Sequence, residues 1–229
     1  MEKIGIITYD CPHLKTEQLL LSLLSSPLPA EEKATITVYA LPFVPRKARE
    51  VFFNHRPCQT AAVAPDILCR GYGLKYVKCQ SDTDIDNSCH IYLVAGAGIL
   101  SPAAVENKKI INCHPGIIPA ARGLDSFKWS ILNMVPVGNT LHYIDKGVDC
   151  GEIITVLPTP VFSTDTLETL ARRHYERELQ LLSGYRYHLA HPQNDFAALA
   201  CRNATMRMPI ATEKQMVDLF NQYKERFAL

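Results

Sequence analysis

The chain has 229 residues, 47% hydrophobic and 21% charged, the profile of a globular domain able to bury a sizeable core. Its 24 Lys and Arg face 23 Asp and Glu, and the formal charge of +1 excludes a general pull towards nucleic acid or an anionic membrane. Residues 19–24 are interrupted by Ser22 and far too short to span a bilayer, and no signal-like stretch opens the chain. The eight cysteines include no C-x-x-C pair, so the expectation is reduced thiols in the cytoplasm and no zinc site.

Residues 4–9 form an isoleucine-rich run that predicts a buried strand. Leucines at 19, 20, 21, 23 and 24 predict a helix over 16–24, with Thr16 as its N-cap and Pro27 and Pro29 beyond its end. The β-branched stretch 34–40 reads as a second strand, residues 46–55 as a helix, and 65–80 as a short helix followed by a strand over 74–78. Apolar runs at 90–95 and 109–113 predict two more strands, separated by a helix start at Ser101-Pro102. A helix over 124–132 and strands over 139–144 and 153–157 follow. Helical spacing of Leu167, Leu170, Ala171, Tyr175, Leu179 and Leu182 predicts one long helix over 167–189. Thr212 with Gln215 reads as a capping box opening a terminal helix through Phe227.

Strands alternating with helices predict an α/β fold. The expectation is a Rossmann-like, doubly wound, mostly parallel sheet with helices on both faces. The domain would run over residues 1–190, with a short C-terminal helical extension over 191–229.

Functional residues in such sheets gather beyond the carboxyl ends of strands. One strand end reads Asn112-Cys113-His114-Pro115-Gly116-Ile117-Ile118-Pro119, continuing through Arg122-Gly123. Strand periodicity puts Asn112 and His114 on one face, where an amide and an imidazole can bind a developing oxyanion and manage a proton. The second strand end carries Thr140 and His142, then Asp149 seven residues after His142 in a turn bracketed by Gly147 and Gly151. A carboxylate there could orient a histidine, hold a water or accept a proton. Taken singly, Asn and Asp at strand ends also serve as turn caps.

The Asn-x-His-Pro-x-x-x-Pro segment with Arg-Gly, followed by Thr-x-His and the Asp149 turn, resembles the two signatures of the formyl transferase family. The likeness runs from about His90 to Leu182. It implies catalytic roles for Asn112, His114 and Asp149 in moving a formyl group from 10-formyltetrahydrofolate to a small amine. Asn112 and a protonated His114 would donate to the developing oxyanion. Asp149 would hold the imidazolium or a proton-shuttling water, with no metal needed. By the same resemblance the folate cosubstrate lies beside Ala97, Gly98, Ile99 and Leu100 and against the turn carrying Ile144, Asp145 and Gly147. His142 would support that turn.

For the amine, residues 8–13 contain no glycine to form the phosphate loop that glycinamide ribonucleotide transformylases resemble one another in carrying. Arg122, Gly123 and Trp129 resemble a stretch of the sugar N-formyltransferases, and Glu178 resembles an acceptor-side carboxylate. Phe43, Arg46, Arg49, His55 and Arg56 could face a nucleotide diphosphate. The expected acceptor is therefore a nucleotide-linked amino sugar, with no nucleic acid or membrane partner and a homodimer allowed. The alternatives are a glycinamide ribonucleotide transformylase-like enzyme and a non-catalytic folate- or nucleotide-binding module.

Overall fold

The computed structural model describes residues 2–25, 35–45, 49–145, 147, 149–196 and 198–229. In chain order the elements are β1 (Lys3–Tyr9), α1 (Leu14–Leu24), β2 (Thr35–Leu41), α2 (Pro65–Tyr72), β3 (Lys75–Lys78), β4 (Ile91–Val94), α3 (Pro102–Val105) and β5 (Ile110–His114). They continue with α4 (Ser126–Leu132), β6 (Gly138–Tyr143), β7 (Ile153–Pro158), α5 (Leu167–Ser183), α6 (Tyr185–Ala190), α7 (Ile210–Asp218) and α8 (Phe220–Phe227). The seven strands are ordered β3-β2-β1-β4-β5-β6-β7. Parallel registers join β3 to β2, β2 to β1, β1 to β4 and β4 to β5, while β7 runs antiparallel to β6. This is the expected α/β class with a mostly parallel sheet. No helix among the described residues is long and apolar enough to cross a membrane.

The chain forms two compact units. The first holds residues 1–46, 58–112 and 143–146, and its core gathers Ile7, Tyr39, Leu41, Ile85, Tyr92, Val94 and Ile110. The second holds 47–57, 113–142 and 147–229, with Phe53, Phe127, Ile131, Val161, Leu170, Met216, Phe220 and Tyr223 in its core. The division passes through β5 and β6 themselves. Met216 on α7 and Tyr223 on α8 are fully buried, so residues beyond 191 are part of the second core.

Four local expectations are corrected. Thr16 is not the cap of α1: the helix starts at Leu14 after His13, and the buried Thr16 hydroxyl bonds Thr8 and His13 instead. Residues 49–55 are not helical, because the Phe52 and Phe53 amides donate to the Glu213 carboxylate at 2.6 and 3.1 Å rather than to carbonyls one turn back. Arg46 lies outside the described residues. The long helix over 167–189 is interrupted at Gly184, the poorest helix former in the stretch, giving α5 and α6. Thr212 does not cap the terminal helix, which begins after Pro209 and divides at Leu219 into α7 and α8.

The Tyr223 hydroxyl donates to the Val135 carbonyl at 3.0 Å and accepts from the Val137 amide at 2.9 Å, with the ring fully buried. Removing it in Tyr223→Phe orphans a buried backbone donor, which costs about 1–3 kcal/mol. The urea midpoint of this variant should fall accordingly, and an unchanged midpoint would show that α8 contributes little to the second unit.

Candidate active site

The geometry of the second unit centres on His114, the last residue of β5, whose side chain is 4% exposed. Its Nε2 lies 2.8 Å from the Ala121 carbonyl and 3.1 Å from Ser126 Oγ. Ser126 gives its own proton to the Gly123 carbonyl at 2.8 Å, so its oxygen is left to accept. Two acceptors therefore face Nε2, which assigns the proton of the neutral ring to that nitrogen. Nδ1 is left facing Asp149 Oδ2 at 3.4 Å. A Cβ on Gly116 would lie 2.7 Å from His114 Nε2 and collide with the Ala121 carbonyl, so only glycine fits there.

Asp149 has φ 50°, in the left-handed region that side chains other than glycine enter at a cost. Its Oδ2 accepts from the Gly123 amide at 2.9 Å, and Gly123 itself sits at φ 86°. Oδ1 lies 3.8 Å from Nε2 of the buried His142. Burial lowers the His114 pKa, while the Asp149 carboxylate works against that shift, followed by the Ala121 carbonyl and Glu178. The lowered pKa favours the neutral ring at pH 7. A proton arriving at Nδ1 would lie between His114 and Asp149.

Asn112 stands two residues before His114 on β5 and is half-buried. In the first unit Ala97, Leu100 and Ile144 are half-buried against the core, Ile99 is 88% exposed, and Gly98 and Asp145 are exposed. Gly147, also exposed, falls in the second unit.

Of the acceptor-side residues, Arg122 is half-buried with its guanidinium 2.6 Å from Cys150 Sγ. Trp129 donates its indole N–H to the Met206 carbonyl at 2.8 Å and packs against the second core. Glu178 on α5 is 1% exposed and ion-paired to Arg56 at 2.7 Å. The Arg49 guanidinium bonds the Met208 carbonyl. Both arginines thus engage groups of their own chain.

Gly116, Ala121 and Ser126 complete the surroundings of His114 and were not singled out from the sequence. A backbone carbonyl has no side-chain signature. Gly116 and Ser126 carried only the signal of lying within the same motif region.

Residues 87–184 match the family model described as formyl transferase. That stretch belongs to the formyl transferase family. It contains β4 through α5 and with them Asn112, His114, Asp149 and Glu178. A curated relative, phosphoribosylglycinamide formyltransferase of Bacillus subtilis, is 41% identical over 71 residues, covering 31% of this chain and 36% of its own. The chain thus spans about a third of that relative. Among solved structures, a sugar N-formyltransferase from a Shewanella species superposes with a TM-score of 0.63 at 20% identity, covering 96% of this chain and 87% of that one. An N-formyltransferase from Helicobacter canadensis, solved with folinic acid and dTDP-3-aminofucose, gives 0.56 at 18% identity and covers 87% and 70%. At these identities the two structures share the formyl transferase fold.

Three imidazoles of the second unit, His114 and His174 buried and His55 half-buried, have depressed pKa values. Burial is the first cause in each: it lowers His114, takes His174 to about 4, and holds His55 well below the usual value. The unfolded chain binds protons on these rings near pH 6.5, and the folded chain does so only lower. The unfolded state therefore holds more protons between those values, and stability falls as pH drops through that window. Urea midpoints at pH 7 and pH 5 should differ in that sense. Equal midpoints would mean that the three rings are not held neutral.

Proposed function

We propose that the chain is a 10-formyltetrahydrofolate-dependent N-formyltransferase acting on a small amine, a nucleotide-linked amino sugar. The observation that carries the reading is the His114–Asp149 pair: a buried neutral imidazole with Nε2 tethered and Nδ1 turned to a carboxylate at 3.4 Å. Such a pair takes up one proton at one atom and holds it in low-dielectric surroundings.

The residues present suit the folate. Ala97, Leu100 and Ile144 offer a half-buried apolar wall, Ile99 leaves a large apolar side chain 88% exposed, and Gly98 has open space where a Cβ would stand. When bound, the folate supplies a carbonyl carbon already activated for attack by a neutral amine. Asn112 would donate its amide N–H to the formyl oxygen. His114 would accept the amine's proton at Nδ1, Asp149 would hold the imidazolium, and the proton would then pass to the departing nitrogen.

Turnover tests the assignment. Asn112→Ala, His114→Ala and Asp149→Ala should each lower kcat by about 10²–10³, the usual loss for one such donor. The triple variant should be little worse than the singles, because the three act as a unit. A single variant with near wild-type turnover would remove that residue from the mechanism.

For the acceptor, residues 8–13 lack glycine and carry aromatic rings instead. The Tyr9 ring meets Phe43 edge-on at 5.1 Å and His13 at 5.8 Å. A corner of this kind suits the planar ring of a nucleotide better than a bare phosphate. Glycinamide ribonucleotide is the second reading, supported by the name of the Bacillus subtilis relative. The two separate in direct competition at equal concentration, followed by product mass. Nucleotide-linked amino sugars should gain the formyl group, and preferential formylation of glycinamide ribonucleotide would overturn the acceptor while leaving the transfer chemistry intact.

A further inference from the structure

Segment 49–57 has no regular secondary structure, yet it delivers two groups to the surroundings of the reacting centre. His55 stacks on Phe127 with ring planes 3° apart, and Phe127 in turn meets His174 at 5.2 Å. Arg56 lies on Glu178 at 2.7 Å, with its guanidinium 5.9 Å from the centre of the Tyr175 ring. Something other than local hydrogen bonding must give this stretch its path.

That something is a carboxylate far along the chain. Glu213, on α7, is 1% exposed. Its Oε2 accepts from the amides of Phe52 and Phe53 at 2.6 and 3.1 Å, and its Oε1 pairs with Lys128 of α4 at 2.7 Å. Lys128 is equally buried, and it is carried by the helix whose first residue, Ser126, touches His114. Phe53 adds its ring to the second core, and the Arg49 guanidinium bonds the Met208 carbonyl. A buried carboxylate costs free energy unless its acceptor sites are filled. Here three donors fill them, and two are consecutive amides of the segment that carries Arg56.

We infer that Glu213 is a positioning residue for the histidine–carboxylate centre: by binding the Phe52 and Phe53 amides it keeps Arg56 on Glu178. The consequence is electrostatic. Glu178 favours the protonated forms of His114 and His174, and Arg56 opposes it at both. Asp149 also acts on His114, and His114 and His55 act on His174. Withdrawing Arg56 removes that opposing positive charge, so both imidazoles hold a proton more readily. The C-terminal extension thereby sets the protonation of residues 39 and 99 positions earlier in the chain.

The inference rests on reading His114 and Asp149 as the reacting pair, but its test needs neither folate nor amine. Proton NMR titrations of the His114 and His174 rings would be recorded on the full chain. Arg56→Gln should raise both midpoints by roughly half to one pH unit, as loss of a nearby positive charge does. Glu213→Ala should raise them in the same direction. Glu213→Gln, which keeps an oxygen for the two amides, should return them towards wild type.

Lys128→Met is the control, because it removes the cation and leaves Glu213 on the segment. It should lower stability without moving either midpoint. Where Glu213→Ala does not fold, Glu213→Asp keeps the charge but shortens the reach to the amides, and it should move both midpoints upward. Folded Glu213→Ala or Glu213→Asp with wild-type midpoints would overturn the inference, and so would Lys128→Met moving them as far as Arg56→Gln. Failure of formyl transfer in every amine assay would bear on the proposed reaction and not on these titrations.

Discussion

The structure around the candidate site depends on one tether, the capture of the buried His114 Nε2 by the Ala121 carbonyl at 2.8 Å in the second unit. A neutral imidazole has one donor nitrogen, and a carbonyl can only accept, so the tether decides which nitrogen remains for chemistry. Ser126 reinforces it, since its proton is committed to the Gly123 carbonyl. Gly116 makes room for it. The same chain turn presents the Gly123 amide to Asp149, so the element that fixes the ring also fixes the carboxylate facing Nδ1.

Asp149 completes this arrangement from a strained position. A left-handed backbone at a residue other than glycine costs on the order of 1–2 kcal/mol, and Asp is among the side chains that tolerate it best. The Gly123 hydrogen bond and the proximity of His142 and His114 offset that cost. The two strands beneath hold the ends of the arrangement, with His114 closing β5 and His142 near the end of β6. Residues beyond 191 support the same unit through Met216, Phe220 and Tyr223, and through the Glu213 carboxylate. What reads in the sequence as an appendage is thus packed into a core.

Much of the architecture is legible in the sequence. The isoleucine-rich and β-branched runs became strands, and the break between 94 and 110 fell where Ser101-Pro102 placed it. Polar residues at the ends of β5 and β6 marked the stretch that matches the formyl transferase family. The errors have different physical origins. Residues 49–55 have acceptable helix propensity, but their amides are claimed by Glu213 some 160 positions away. Thr16 and Thr212 both look like caps, yet His13 and Pro209 precede the helices and the threonines lie inside the first turn. At residues 49–55 local pattern lost to a distant hydrogen-bond partner, and at Gly184 to local helix propensity.

By itself the sequence determined the order of the strands, the candidates Asn112, His114 and Asp149, and the lack of glycine after the first strand. These are properties of side-chain type and spacing, and both are written in the chain. Only the tertiary structure decided that His114 is neutral with its proton on Nε2, that Glu178 is covered by Arg56, and that Glu213 holds segment 49–57. A proton's position follows from burial, from backbone carbonyls and from charges brought together by folding, and none of these has a residue code of its own.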